Sequence, residues 1–266
     1  MRLAEIHVYP LKGARGIAQA RADVLAGGLR HDRRFMLLDA AGTFLTQREH
    51  PRLALITTAL APSALVLGVP GAPDVEVPLA PTGPRRRVRV WDDDVDAVEV
   101  PGEAADRIST HLGERCTLVF MPDDVVRQVA APYGAPGDRV GFADGYPLLL
   151  ASRASLADLN ARLASPVPMD RFRPNLVVEG GEAYDEDHYE GVKVGALAFR
   201  MPKRCARCPV TTVDQRTAEV SKEPLRTLAT YRSSSNNVYF AQNLIPDASG
   251  TIAIGDDVAY FVPLAR

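Results

Sequence analysis

The chain is poor in cysteine, in net charge and in long apolar runs, and each shortage excludes something. Three cysteines in 266 residues is an odd number in a chain too large to need covalent staples, which points to a reducing compartment rather than a disulfide framework. Basic and acidic side chains nearly balance, at 31 and 33, so no global field draws nucleic acid and any basic site must be local. No stretch approaches the roughly 18 apolar residues of a membrane span. The opening Met1-Arg2-Leu3-Ala4-Glu5-Ile6-His7 lacks the apolar core of a signal peptide, so the expectation is a cytoplasmic protein. Internal repeats and low-complexity tracts are missing too.

What remains is an ordinary globular composition, 46% hydrophobic and 24% charged, long enough for two modest domains or one large one. Short strand-like runs dominate the first hundred or so residues at the spacing of barrels and sandwiches. Ile6 and Val8 alternate with polar neighbours, and Phe35 to Leu38, the turn Asp39 to Gly42 and Thr43 to Gln47 read as a hairpin. Leu53 to Leu60, Ala64 to Val69, Val75 to Leu79 and Val88 to Trp91 read as further strands. Asp92-Asp93-Asp94 reads as a solvated turn. Glu103 to Leu112 has helical spacing with Gly113 as its stop, and Thr117 to Phe120 is a strand. Residues 122 to 147, rich in Pro, Gly and Asp, read as a long loop of the kind that is often functional. Leu148 to Leu150 leads into a helix over Ser155 to Leu163, with Ser155-Leu156-Ala157-Asp158 fitting a capping box. Short strands return from Leu176 onward. The fold class expected is mostly β, α+β in detail.

Chemistry concentrates in Arg204-Cys205-Ala206-Arg207-Cys208-Pro209-Val210-Thr211-Thr212-Val213-Asp214. A thiolate is a soft metal ligand and neighbouring cations favour it over the thiol. A structural zinc would need a second ligand pair, which the chain lacks, although His188 is near. A dithiol redox motif would sit between a strand and a helix, whereas Pro209 to Val213 looks extended. Two small buried apolar cysteines remain the plain alternative, but Arg204 and Arg207 are poor neighbours for inert thiols. Asp214 could pair with Arg207. Arg171-Phe172-Arg173-Pro174-Asn175 sets two guanidiniums around an aromatic before a strand, suited to phosphate or carboxylate or to a surface ion pair. Tyr9-Pro10-Leu11-Lys12-Gly13-Ala14-Arg15-Gly16 is a glycine-containing loop that could hold a phosphate without Walker spacing. Leu29 to Phe35 adds further cations, and Cys116 reads as core.

Taken in order, Tyr9 to Lys12, Asp32-Arg33-Arg34-Phe35, Thr46-Gln47-Arg48, Arg171 to Asn175, Arg204 to Cys208, Thr211 to Asp214, Glu223-Pro224-Leu225, Leu228, Tyr231-Arg232, Gly250-Thr251-Ile252 and Gly255-Asp256 resemble the MOSC proteins. The resemblance covers nearly the whole chain. It is to the branch that includes the mitochondrial amidoxime-reducing component and its bacterial relatives. It implies an N-terminal β-barrel domain over 1–115, followed over 116–266 by a barrel-like MOSC domain with a few short helices. It implies a molybdenum cofactor, a phosphate-bearing pterin dithiolene. Cys208 would be the metal ligand and a catalytic residue. Lys12, Arg33, Ser155, Arg173, Asn175, Ala206 and Arg207 would join it in holding the cofactor, and Asp214 is a candidate to assist protons. The implied activity is reduction of small N-oxygenated compounds such as hydroxylamines and amidoximes. The alternative is a carrier of the cofactor, or of sulfur on Cys208, to a partner. Gly13 and Ala206 stand where some relatives carry a hydroxyl or polar side chain. The chain ends soon after Val262, so no iron–sulfur cluster is expected in it, nor a membrane anchor before the barrel. Electrons would come from a separate ferredoxin- or cytochrome-like donor.

Overall fold

A computed structural model describes residues 1–262. The chain is mostly β. Its largest sheet runs Ile17–Gln19, Arg2–Val8, Leu176–Glu179, Leu148–Ser152, Asn237–Pro246, Leu197–Arg200, Gly191–Val194 and Val258–Phe261, with Arg204–Ala206 and Ser233–Ser234 also on the long strand. Only Leu148–Ser152 and Leu176–Glu179 are parallel among its ladders. A parallel pair needs a crossover, and the helix Arg153–Arg162 supplies it. A second sheet orders Phe35–Leu38, Thr117–Phe120, Asp93–Glu99 and Arg85–Val90. Two three-stranded sheets complete the fold.

The ladders cross the middle of the sequence. Arg2–Val8 pairs with Leu176–Glu179, while Thr117–Phe120 pairs with Phe35–Leu38. Burial explains the directions. Leu3, Ile6 and Val8 point into one core with Leu150, Leu176 and Phe199. Leu37, Leu118 and Phe120 close a second core with Ile108 of the helix Glu103–Leu112. Complete burial of Ile108 contributes about 2 kcal/mol. Gly113 ends that helix in the left-handed region (φ 74°), its N–H bonded to the Ser109 carbonyl, as the sequence suggests.

Several local expectations are corrected. Residues 43–47 form no second hairpin strand; only Phe44 bridges Leu38, and Thr46 then turns the chain by accepting the Arg48 N–H (3.0 Å). The run from Leu53 to Leu60 divides into a 3-10 turn at Pro51–Leu55 and a strand at Thr57–Leu60, because Pro51 sets a helical φ at the turn's start. Pro209–Thr212 is likewise a 3-10 turn and not extended. Asp93 and Asp94 do not sit in a turn. They open the strand Asp93–Glu99, whose pairing with Arg85–Val90 leaves Trp91-Asp92 as the turn. The crossover helix begins at Arg153, capped by Ser152, whose Oγ accepts from Ala154 N and Ser155 N. Ser155 is therefore inside the helix, and Asp158 pairs with Arg162 and takes no part in a capping box. Among the described residues no helix is long and apolar enough to cross a membrane.

Between Phe120 and Leu148 the chain carries no strand or helix, yet it is firmly anchored. Arg127 is 5% exposed and donates to the carbonyls of Gly141 (3.0 Å), Ala143 (2.5 Å) and Asp144 (3.0 Å) and to Asp93 Oδ2 (2.7 Å). A single rigid guanidinium fork thus replaces the missing ladder and presents Asp144 to the next feature.

Candidate functional site

A cavity lies where residues from both ends of the sequence meet. Lys12, Arg33, Arg48, Asp144, Arg173, Cys205, Arg207 and Cys208 are among the residues that line it. Five cationic side chains line it against one carboxylate, an excess of positive charge that a buried site tolerates only if an anion is expected there.

Each cation is fixed differently. Arg33 and Arg173 both lie on the ring of buried Tyr9, at 4.2 and 4.5 Å from its centroid. The electron-rich ring attracts both guanidiniums. Tyr9 itself donates to the Pro174 carbonyl (3.1 Å), and burial pushes its phenol up to about 12, so it is neutral. Burial pulls Arg173 down to about 10, which still leaves a full cation at neutral pH. Its Nη2 donates to the Ala14 carbonyl (2.7 Å) and its Nη1 to Gln215 Oε1 (3.2 Å). Arg33 pairs with buried Asp32 (2.5 Å). Arg33 (φ 45°) and Arg173 (φ 55°) adopt left-handed backbone, a strain of about 1–2 kcal/mol per non-glycine residue that the surrounding packing must hold.

Lys12 Nζ donates to the Phe142 carbonyl (2.8 Å) and to Asp144 Oδ1 (2.5 Å). Burial lowers its pKa, and Asp144 works against that fall. The Asp144 carboxyl is held well below the usual range: burial would raise it, but Lys12 and then Arg48 outweigh burial. Arg48 Nη2 donates to Cys208 Sγ at 3.3 Å, across 160 positions of sequence. Arg207 Nη1 donates to Cys205 Sγ (2.9 Å) and its Nη2 to the Phe172 carbonyl (2.9 Å), while its Nε is buried with no acceptor. All three cysteines are free.

Of the residues singled out from sequence, Lys12, Arg33, Asn175, Arg173, Arg207 and Cys208 line this cavity. The amide of Asn175 is already engaged: Oδ1 accepts from Leu149 N (3.2 Å) and Nδ2 donates to the His7 carbonyl (3.1 Å), so it ties strands together. The remaining three lie outside the lining. Ser155 is fully buried in the first turn of the crossover helix, donating to Glu186 Oε1 (2.7 Å) and accepting from Tyr184 N (2.8 Å). Ala206 is exposed on Arg204–Ala206. Asp214 pairs with Arg171 (2.8 Å) in place of Arg207, and its other oxygen accepts from Arg216 N and Thr217 N. Its carboxyl stays below the ordinary range; burial opposes this, but the two backbone N–H groups and Arg171 prevail. Arg48 and Asp144 carried no assigned role in the sequence. Their signals were weak: a three-residue motif, Thr46-Gln47-Arg48, and membership of a long loop.

The donor set suits a bulky anion bearing a thiophilic metal. Two cysteines, Cys205 and Cys208, line the cavity with several guanidiniums, one of which, Arg207, has a buried Nε without an acceptor, and among the described residues no group of three or more His, Cys, Asp or Glu is gathered for a metal. The set is compatible with the molybdenum cofactor that the resemblance implies.

The MOSC N-terminal beta barrel domain matches residues 1–115 and the MOSC domain residues 137–259, and the chain belongs to the MOSC family. It is similar to mitochondrial amidoxime-reducing component 1 of Mus musculus, 33% identical over 96% of this chain and 81% of that protein. The Homo sapiens protein of the same name is also 33% identical, over 96% and 82%. Mitochondrial amidoxime reducing component 2 of Rattus norvegicus is 30% identical, again over 96% and 82%.

Proposed function

We propose that this chain binds a molybdenum–pterin cofactor through Cys208 and reduces N-hydroxylated compounds such as amidoximes, taking electrons from a separate donor protein. The observation that carries the reading is the meeting of Cys208 Sγ with five cations in one cavity, in a chain similar to amidoxime-reducing components. When bound, the cofactor supplies the two electrons that, with two protons, cleave an N–O bond and release water.

The residues divide the remaining work. Arg33 and Arg173, both against the Tyr9 ring, would offset the cofactor's negative charge. Arg207 keeps one N–H free for an acceptor. At the Lys12–Asp144 pair the Asp144 carboxyl is held ionised at neutral pH. Asp144 and the cation Arg48 stand on the Cys208 side of the loop and orient a polar substrate head.

Protein from a cofactor-competent host is expected to carry molybdenum and pterin and to reduce benzamidoxime with a competent donor. Cys208→Ala should lose the metal and the activity together. A wild type without molybdenum, or a Cys208→Ala protein that matches it, defeats the proposal. Persulfide on Cys208 without metal would support the carrier reading.

A further inference from the structure

The sole tryptophan of the chain sits beside this cavity and serves nothing so far described. Trp91 occupies a two-residue turn between Arg85–Val90 and Asp93–Glu99, with Val90 paired to Asp93. Its backbone is left-handed (φ 56°), where such turns ordinarily take Gly, Asn or Asp. A bulky aromatic there breaks the local rule, and such breaks concentrate where function compensates them.

Tertiary contacts hold the ring in place. Its plane meets Phe44 edge-on at 5.0 Å, 73° between planes. Its Nε1 donates to Asp144 Oδ1 (3.3 Å). The Arg48 guanidinium lies 4.9 Å from its centroid, and Arg48 in turn reaches Cys208 Sγ. Both polar partners line the cavity, so the indole stands one side chain outside it. Even so, Trp91 is 41% exposed, although a ring with this many contacts could have been buried. A fixed, partly open aromatic surface beside a polar cavity suits a ligand with a polar head and a flat apolar body.

We propose that Trp91 is a specificity-determining residue, an aromatic lip on which the planar body of an aryl-bearing substrate stacks while its N-hydroxylated head enters the cavity. This rests on the reductase reading for the identity of the head group. The chain should then favour aryl over small aliphatic amidoximes.

Two measurements on the cofactor-loaded protein test it. Benzamidoxime should quench the Trp91 emission saturably, and acetamidoxime should not. Trp91→Ala should raise the KM for benzamidoxime roughly three- to tenfold more than that for acetamidoxime, the equivalent of one aromatic contact. Trp91→Phe should recover most of that loss. Saturating benzamidoxime without any change in emission, or an equal KM change for both compounds in Trp91→Ala, overturns the lip. If the wild type reduces neither compound, the reductase reading fails. The emission titration still decides whether a flat ligand rests on Trp91.

Discussion

Lys12 shows how a single residue is tuned by its surroundings. Burial lowers its pKa, and Asp144 at 2.5 Å opposes that fall. A buried acid in the other half shows the opposite case. Glu186 accepts from Ser155 through Oε1, but its Oε2 is buried without a partner, and burial pushes its pKa up despite Ser155. A carboxyl raised in the folded state keeps a proton the unfolded chain has lost, so stability falls as pH rises from about 4.3 through the folded value. Glu186→Gln keeps an acceptor for Ser155 and removes the ionisation. Its melting temperature relative to wild type should climb as pH rises above about 4.3, read by thermal unfolding across pH; a pH-independent difference refutes this account. Cys208, Arg207, Arg173 and Lys12 were legible in the sequence because each lies in a dense local motif. Asp144 was not, since its partners Lys12, Arg48 and Trp91 are all at least 53 positions away. Ser155 misled because a hydroxyl near a helix start has a capping signature whether or not it caps.

At the scale of elements, the loop over 122–147 depends on Arg127. Removing its side chain leaves three carbonyls without their donor, at about 1–3 kcal/mol for a buried group left unpaired, while half-exposed Asp93 returns to water. Arg127→Met should lose about that much in urea unfolding, and limited proteolysis should cut within residues 122–147 in the folded protein. Arg127→Lys should recover little, because one ammonium cannot span the same acceptors. An unchanged digestion pattern would show that the loop is held by something else. Long, strongly patterned elements such as Glu103–Leu112 and Thr117–Phe120 were readable to the residue. Pro51–Leu55 and Pro209–Thr212 were not, because apolar runs led by proline fit a strand and a tight turn equally well until packing decides. The strand Asp93–Glu99 was hidden by its acidic start, where pairing with the arginines of Arg85–Val90 overrides poor strand propensity.

For the whole molecule, the ladders matter more than the order of the two family segments. Without Arg2–Val8, the strand Leu176–Glu179 loses its antiparallel neighbour and exposes an apolar edge. Without Thr117–Phe120, the strand Phe35–Leu38 loses its partner. Residues 1–115 and 116–266 made separately should therefore be aggregation-prone, and made together should co-purify as one complex. Cooperative unfolding of either piece alone would disprove this interdependence.

The contact between Arg48 and Cys208 also sets a timetable for synthesis. The ribosome has added 160 further residues after Arg48 before the sulfur it touches exists, and Asn243 of the same wall comes later still. A nascent chain therefore offers no finished receptacle. Whatever fills this cavity must be delivered to an essentially completed polypeptide, after translation rather than during it.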